Sequence, residues 1–136
     1  MSRSHAGSYK DSKNDCLFCV VRPNELLSEN ESCYASKDAH PVTPQHTLII
    51  PKRHVVDYFD LTELEIVGIH QMLIAMRSRI KNDDLTVKGF NIGVNAGKTA
   101  GQSIPHVHIH LIPRRQGDVE NPQGGVRGVI PDKQKY

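Results

Sequence analysis

Apolar and polar positions recur with two different periods along this chain, and each change of period marks a new element. Alternation over Gly89-Phe-Asn-Ile-Gly-Val94 and over His106-Val-His-Ile-His-Leu-Ile112 predicts two strands, the second stopped by Pro113. Thr47-Leu-Ile-Ile50 is a β-branched, apolar run that predicts a third strand ending at Pro51. A shorter strand is expected from Cys33 to Ser36, followed by a turn-prone stretch with Pro41 and Pro44. Ile66, Ile69, Leu73, Met76 and Ile80 recur at steps of three and four, which predicts one long helix over about residues 61–81. Two overlapping capping boxes, Asp60 with Glu63 and Thr62 with Glu65, announce its start, and Asn82-Asp83-Asp84 ends it. His70 and the methionines of this helix read as packing or surface residues. A meander of strands around a single helix points to the α+β class, not to a parallel βαβ fold.

The ends of the chain break both periods. Residues 1–14 are polar and unpatterned and are expected to form a mobile tail; residues 116–136 form a C-terminal extension, with a turn at Asn121-Pro-Gln-Gly-Gly125. No internal repeat or second domain is visible. With 136 residues, 38% hydrophobic and 24% charged, the chain reads as one soluble domain with enough core to do without disulfides. No apolar run approaches the ~18 residues that span a bilayer, and residues 1–14 lack the apolar core of a signal peptide. No membrane association and a cytoplasmic location are therefore expected. A net charge of +2 is too balanced to imply binding to bulk nucleic acid, and none is expected. The basic pairs Lys52-Arg53 and Arg114-Arg115 have two readings, facing a phosphate-bearing ligand or standing solvated at strand ends.

Three cysteines, an odd number, argue against a disulfide framework. Cys16 and Cys19 have the spacing that suits two thiolates on one metal; Cys33 stands apart as a small buried hydrophobe. The eight histidines are the more unusual feature. Period two places His106, His108 and His110 on one strand face, roughly 6.5–7 Å between neighbours. Such a face costs β propensity and core area, so packing does not explain it. Two uses remain: coordination of a catalytic metal, or nucleophilic and hydrogen-bonding action on a phosphate. Gly101-Gln102-Ser103 just upstream offers backbone N–H groups and a hydroxyl to an anionic oxygen. Walker and Rossmann phosphate loops are absent.

His106-Val-His108-Ile-His110-Leu-Ile resembles the signature of the histidine-triad (HIT) family, three histidines alternating with hydrophobic residues. The resemblance extends to Cys16-Leu-Phe-Cys19, Asp38, His46-Thr-Leu-Ile-Ile-Pro-Lys-Arg-His54, Asn95 and Gly101-Gln102-Ser103, covering about residues 15–115 as a catalytic domain of the small bacterial type. It implies an antiparallel sheet of about five strands with one long helix, paired as a homodimer. The implied activity is nucleotide hydrolysis or transfer. His108 would attack the α-phosphorus, giving a nucleotidyl-histidine that water resolves to a nucleoside monophosphate, with adenine nucleotides favoured. His110 would donate to a non-bridging oxygen, and His46 matches the fourth family histidine beside the triad. Asp38 would accept from the ribose hydroxyls, while Asn95, Gly101, Gln102 and Ser103 would meet the phosphate or the leaving group. The resemblance also implies structural zinc on Cys16, Cys19, His54 and His106, which orients the first triad histidine; no catalytic metal or organic cofactor is expected.

The leaving group stays open at this level. Ser103 and Asp38 favour nucleoside phosphoramidates, whereas the tail with Gly124-Gly125 looks like those of dinucleoside polyphosphate hydrolases, with Arg127 meeting a distal phosphate. Two other classes compete: a metal-dependent hydrolase that uses the triad as ligands, and a binding module that holds nucleotides or a partner without turnover.

Overall fold

Five strands form one antiparallel sheet in the order β1-β2-β3-β5-β4: β1 Leu26–Glu29, β2 Cys33–Lys37, β3 Thr47–Pro51, β4 Val87–Val94 and β5 Ile109–Arg115. Among the described residues one long helix, α1 at Glu63–Asp83, crosses one face. This is the expected α+β architecture, seen in a computed structural model that describes residues 16–136. The tail expected over residues 1–14 lies outside the described residues. No helix among them is long and apolar enough to cross a membrane.

Of the two capping boxes, the fold uses Thr62 with Glu65. The Thr62 hydroxyl accepts from the Glu65 N–H, and the Glu65 carboxylate accepts from the Thr62 N–H. Asp60 instead closes a short 3-10 turn at Tyr58–Asp60, capped by the Asp57 side chain. The buried stripe of α1 is also rotated slightly from the predicted one. Ile69, Met72, Met76 and Ile80 are buried, while Ile66 is 44% exposed. They pack on Cys33, Ala35, Ile49, Ile109 and Leu111, the helix-facing residues of the sheet. Burial pushes the Cys33 thiol up to about 11, as befits a core residue.

Pro113 does not stop β5. The strand runs on to Arg115, with Pro113 paired to Phe90. The last β3 partner on the other side is Thr47, opposite Leu111. Beyond it the Pro113 carbonyl accepts from Thr43 Oγ1, so the missing N–H falls where no strand asks for it. At the other end β5 begins only at Ile109: His106 lies in a bend, and residues 107–108 lead from it into the strand.

Both basic pairs are engaged within the protein. Lys52 Nζ meets Glu29 at 2.8 Å, and Arg53 donates Nε and Nη2 to the Glu65 carboxylate at 2.9 and 2.8 Å. Arg114 pairs with Asp118 and Arg115 with Asp84. The phosphate reading of these pairs gives way to ion pairing. Burial alone would raise the Glu65 carboxyl, but the bonds from Arg53 and Thr62 outweigh it and hold the group below its ordinary value. Glu65 thus ties the start of α1 to the loop carrying His54. Glu65→Ala should lower stability by about 1–3 kcal/mol, read as a lower urea midpoint near pH 7; because the folded carboxyl is held below its ordinary value, the gap between wild type and variant should narrow as pH falls below that ordinary value and through the lowered one.

Candidate active site and metal centre

The sheet face opposite α1 is covered in two parts. Phe18, Val21 and Leu26 pack on Tyr34, Leu48 and Ile50. Beyond this cluster, where β3 and β5 meet, the face carries histidines.

His106 is fully buried below that face. Its Nε2–H donates to the Pro51 carbonyl at 2.8 Å, which leaves Nδ1 as the lone-pair atom. Nδ1 stands 3.2 Å from Cys16 Sγ and 3.4 Å from Cys19 Sγ, and Cys19 Sγ is 3.0 Å from His54 Nδ1. All four ligand atoms lie within 4.8 Å of one another. Two sulfurs and two imidazole nitrogens at these separations are a set that tetrahedral zinc, with bonds of about 2.0–2.3 Å, can bridge. The Pro51 carbonyl supplies the outer hydrogen bond that fixes the tautomer of such a ligand. Burial, reinforced by His54 and His108 and opposed by the Pro51 bond, pushes His106 down to about 4, so its imidazole is neutral near pH 7.

His108 follows two residues on and is 7% exposed. Its Nδ1–H donates to the His106 carbonyl at 2.9 Å, so in the neutral ring Nε2 carries the lone pair. The Phe18 ring lies 4.9 Å from the His108 ring, centroid to centroid. Phe18 sits in the 3-10 turn Leu17–Cys19, and its carbonyl accepts from the Tyr34 hydroxyl at 2.6 Å. The turn that places the two cysteines therefore also covers the central histidine.

His110 and His46 form a relay beside it. The Val42 N–H donates to His46 Nδ1 at 3.0 Å, so a neutral His46 carries its proton on Nε2. That atom is 2.9 Å from His110 Nδ1 and 3.3 Å from Asp38 Oδ2. With His110 Nδ1 accepting, its remaining proton is on Nε2. Burial holds both rings below the ordinary histidine value; His108 and His46 add to the effect at His110, while Asp38 opposes it at both. The other Asp38 oxygen accepts from the His40 N–H. Asp38, His46 and His110 form a second cluster of metal-ligating groups.

The remaining sequence-derived residues lie in the loop between β4 and β5. Gly101 has φ +100°, and a Cβ built on it would stand 3.9 Å from the Asn95 side chain. The Gln102 side chain accepts from the Gly97 N–H and donates to the Val56 and Ile104 carbonyls, so it holds the loop together. Ser103 is exposed. Sequence reasoning did not find Phe18, although it stands between the two cysteines, nor the Pro51, His106 and Val42 main-chain groups that set the histidine tautomers.

Residues 20–117 match the HIT domain family model. Among curated relatives, the bis(5'-adenosyl)-triphosphatase of Dictyostelium discoideum is 37% identical over 103 residues, 75% of this chain and 68% of that protein. Among solved structures, a HIT family protein from Bacillus anthracis is 35% identical with a TM-score of 0.69, covering 76% of each chain. A zinc-bound histidine triad family protein from Mycobacterium smegmatis is 37% identical with a TM-score of 0.57, covering 68% of this chain and 67% of that one.

Proposed function

This chain belongs to the HIT domain family, and from that premise we propose that it hydrolyses nucleotides at the α-phosphate through a covalent nucleotidyl-histidine. The observation that carries the reading is the hydrogen bond from His108 Nδ1–H to the His106 carbonyl, which directs the lone pair of a neutral imidazole out of Nε2. In the first step a bond forms between His108 Nε2 and the α-phosphorus, and the bond from phosphorus to the leaving group breaks. Water then attacks phosphorus, the P–N bond breaks, and nucleoside monophosphate leaves with His108 restored. His110, with its proton on Nε2, donates to a non-bridging oxygen as negative charge builds there, and His46 holds it in that tautomer. Asn95, Gly101, Gln102 and Ser103 meet the phosphate and leaving group, Gln102 through the loop that it braces. Asp38 serves the ribose once substrate draws it from His46.

Cys16, Cys19, His54 and His106 would hold a zinc ion that ties the N-terminal turn to the catalytic segment. A homodimer belongs to the same proposal, supported by the apolar side chains of Val67, Ile74 and Ile92, each 52% exposed. So does a cytoplasmic setting, where three cysteines that form no disulfide would stay reduced.

The test is chromatographic. Diadenosine triphosphate and adenosine 5'-phosphoramidate are incubated with the protein in a mild chelator, and an alkaline rapid quench followed by mass spectrometry looks for adenylylated His108. Release of adenosine monophosphate together with that adduct is the expected result. The Asp38, His46 and His110 cluster favours one rival, metal-dependent hydrolysis; activity lost on chelation and restored by zinc or manganese, with the fold intact by circular dichroism, would establish it instead.

The relay also sets a pH dependence. Because His46 and His110 are held below the ordinary value of 6.5, the acid limb of the kcat/KM profile that this pair sets, as it takes up a proton, should lie below pH 6.5. Asp38 raises both pKa values in the free protein, so Asp38→Asn should shift the acid limb to still lower pH in a kcat/KM profile, which reports the enzyme before substrate draws Asp38 away.

A further inference from the structure

Two arginines that the sequence offers to a phosphate are engaged within the protein. Arg127 donates Nε to the carbonyls of Lys133 and Gln134, so it folds the C-terminal extension back on itself and does not reach toward a distal phosphate. Arg114 donates Nε and Nη2 to the Asp118 carboxylate and Nη1 to Asn91 Oδ1. Arg115 does something different. Its fork joins the end of α1 to the turn that leads into β3. Nε and Nη2 both reach Asp84 Oδ2 at 3.1 Å, while Nη1 donates to the Pro44 carbonyl at 3.2 Å and Nη2 to Gln45 Oε1 at 3.0 Å. Asp84 caps the C-terminus of α1, and its Oδ1 accepts from the Thr86 N–H and hydroxyl, which fixes the carboxylate.

The turn on the other side of the fork is strained. The His46 N–H donates to the Thr43 carbonyl, so Thr43-Pro44-Gln45-His46 closes a β-turn with proline in its second position. Gln45, in the third, has φ +70° and is the one non-glycine with a positive φ among the described residues. Proline followed by a positive φ is the signature of a type II turn, whose third position suits glycine or asparagine because a Cβ is crowded there. A glutamine stays in that conformation only where its surroundings over-determine it. Here its side chain accepts from Arg115, and its carbonyl accepts from Thr47 Oγ1 at 2.9 Å. The next residue is His46, whose carbonyl accepts from the Asp38 N–H and whose Nδ1 accepts from the Val42 N–H. The course of this backbone therefore decides where His46 Nε2 stands, 2.9 Å from His110 Nδ1.

We propose that Arg115, anchored on Asp84, is a positioning residue for the reaction: by holding Gln45 in the left-handed conformation it sets His46 against His110 and so keeps the proton of His110 on Nε2. Its effect on rate rests on the hydrolase reading above; the placing of His46 rests on the geometry alone. One planar fork serves the carboxylate and both acceptors of the turn at once, a task for arginine and not for the single ammonium of lysine.

The experiment follows release of adenosine monophosphate from diadenosine triphosphate by wild type, Arg115→Ala, Gln45→Ala, Gln45→Gly and the double variant Arg115→Ala with Gln45→Gly. Arg115→Ala and Gln45→Ala each break the bond to the turn while leaving a Cβ at residue 45. In both, kcat should fall about tenfold with KM changed less than about twofold, because the relay moves and the substrate's seat does not. Gln45→Gly loses the same bond but adopts a positive φ freely, so its kcat should stay within about threefold of wild type. The double variant should return to about the same level, since a glycine turn needs no strap. Gln45→Ala leaves the Arg115–Asp84 pair in place and answers the case in which Arg115→Ala does not fold. Wild-type kcat in Gln45→Ala, or an equal fall in Gln45→Ala and Gln45→Gly at equal circular dichroism, overturns the proposal.

The ring-nitrogen chemical shifts of His110 give a readout that needs no turnover. They should mark a proton on Nε2 in wild type and Gln45→Gly, and a mixture of tautomers in Gln45→Ala and Arg115→Ala. If the wild type cleaves nothing but that pattern holds, the hydrolase reading falls and the positioning role stands. If every variant keeps the wild-type tautomer, the positioning role falls.

Discussion

Alanine in place of His108 should reduce turnover by about 10⁴-fold or more while leaving a folded protein. The size follows from what is removed. His108 Nε2 is the atom that bonds to phosphorus in the proposed reaction, and no neighbour can replace it. His110 Nδ1 accepts within the relay, and His106 directs Nδ1 toward two sulfurs and Nε2 to a carbonyl. Water would then have to attack the α-phosphorus directly, aided only by His110 and the loop. The fold should tolerate the change, because the loss is one imidazole and its single bond to the His106 carbonyl, a cost of about 1–3 kcal/mol. Product release by His108→Ala is measured against wild type at equal circular dichroism. Activity above about 1% of wild type would take His108 out of the nucleophile's role.

The second large effect should come at the cysteine cluster. Protein purified without added metal is expected to carry one zinc per chain. Cys19→Ser should lose it, with a fall in stability of roughly 3 kcal/mol or more. Cys19 is fully buried and its sulfur stands within 3.4 Å of both His54 and His106, so a hydroxyl there would leave two imidazole nitrogens facing a poor ligand. A strong chelator should produce the same drop in the wild type, and zinc should reverse it. Affinity should weaken as pH falls, because thiolates and neutral imidazoles are the binding forms. Far less than one zinc per chain, with a melting temperature indifferent to chelator, would reduce the cluster to a set of polar side chains bonded to each other.

Much of this architecture was legible because burial imposes period. Alternation over 89–94 and 106–112 marked β4 and β5, and Thr62 with Glu65 marked the start of α1. What escaped were cases where a neighbour's absence or a main-chain group decides. Pro113 reads as a stop, yet β3 has already ended beside it, so β5 continues. Ile66 reads as core by spacing, but the seat goes to Met72 because α1 lies turned toward β2 and β3. The same holds at the site. Side-chain types and their spacing named the histidines and cysteines, whereas the carbonyls of Pro51 and His106 and the amide of Val42 have no residue identity to read. The extension's turn was visible in Gly124-Gly125, but its folding back through Arg127 and Gln134 depends on contacts among its own carbonyls.

That reliance on main-chain partners bears on how the protein tolerates change. The donor to His46 belongs to residue 42 and the acceptor for His108 to residue 106, whatever their side chains. Ordinary substitution at either position leaves the amide or carbonyl in place. A lineage could therefore drift at residue 42, or give up the imidazole at 106 and any metal bound there, and keep the tautomers of the reacting histidines. Proline at position 42 is the exception, since it alone deletes the N–H.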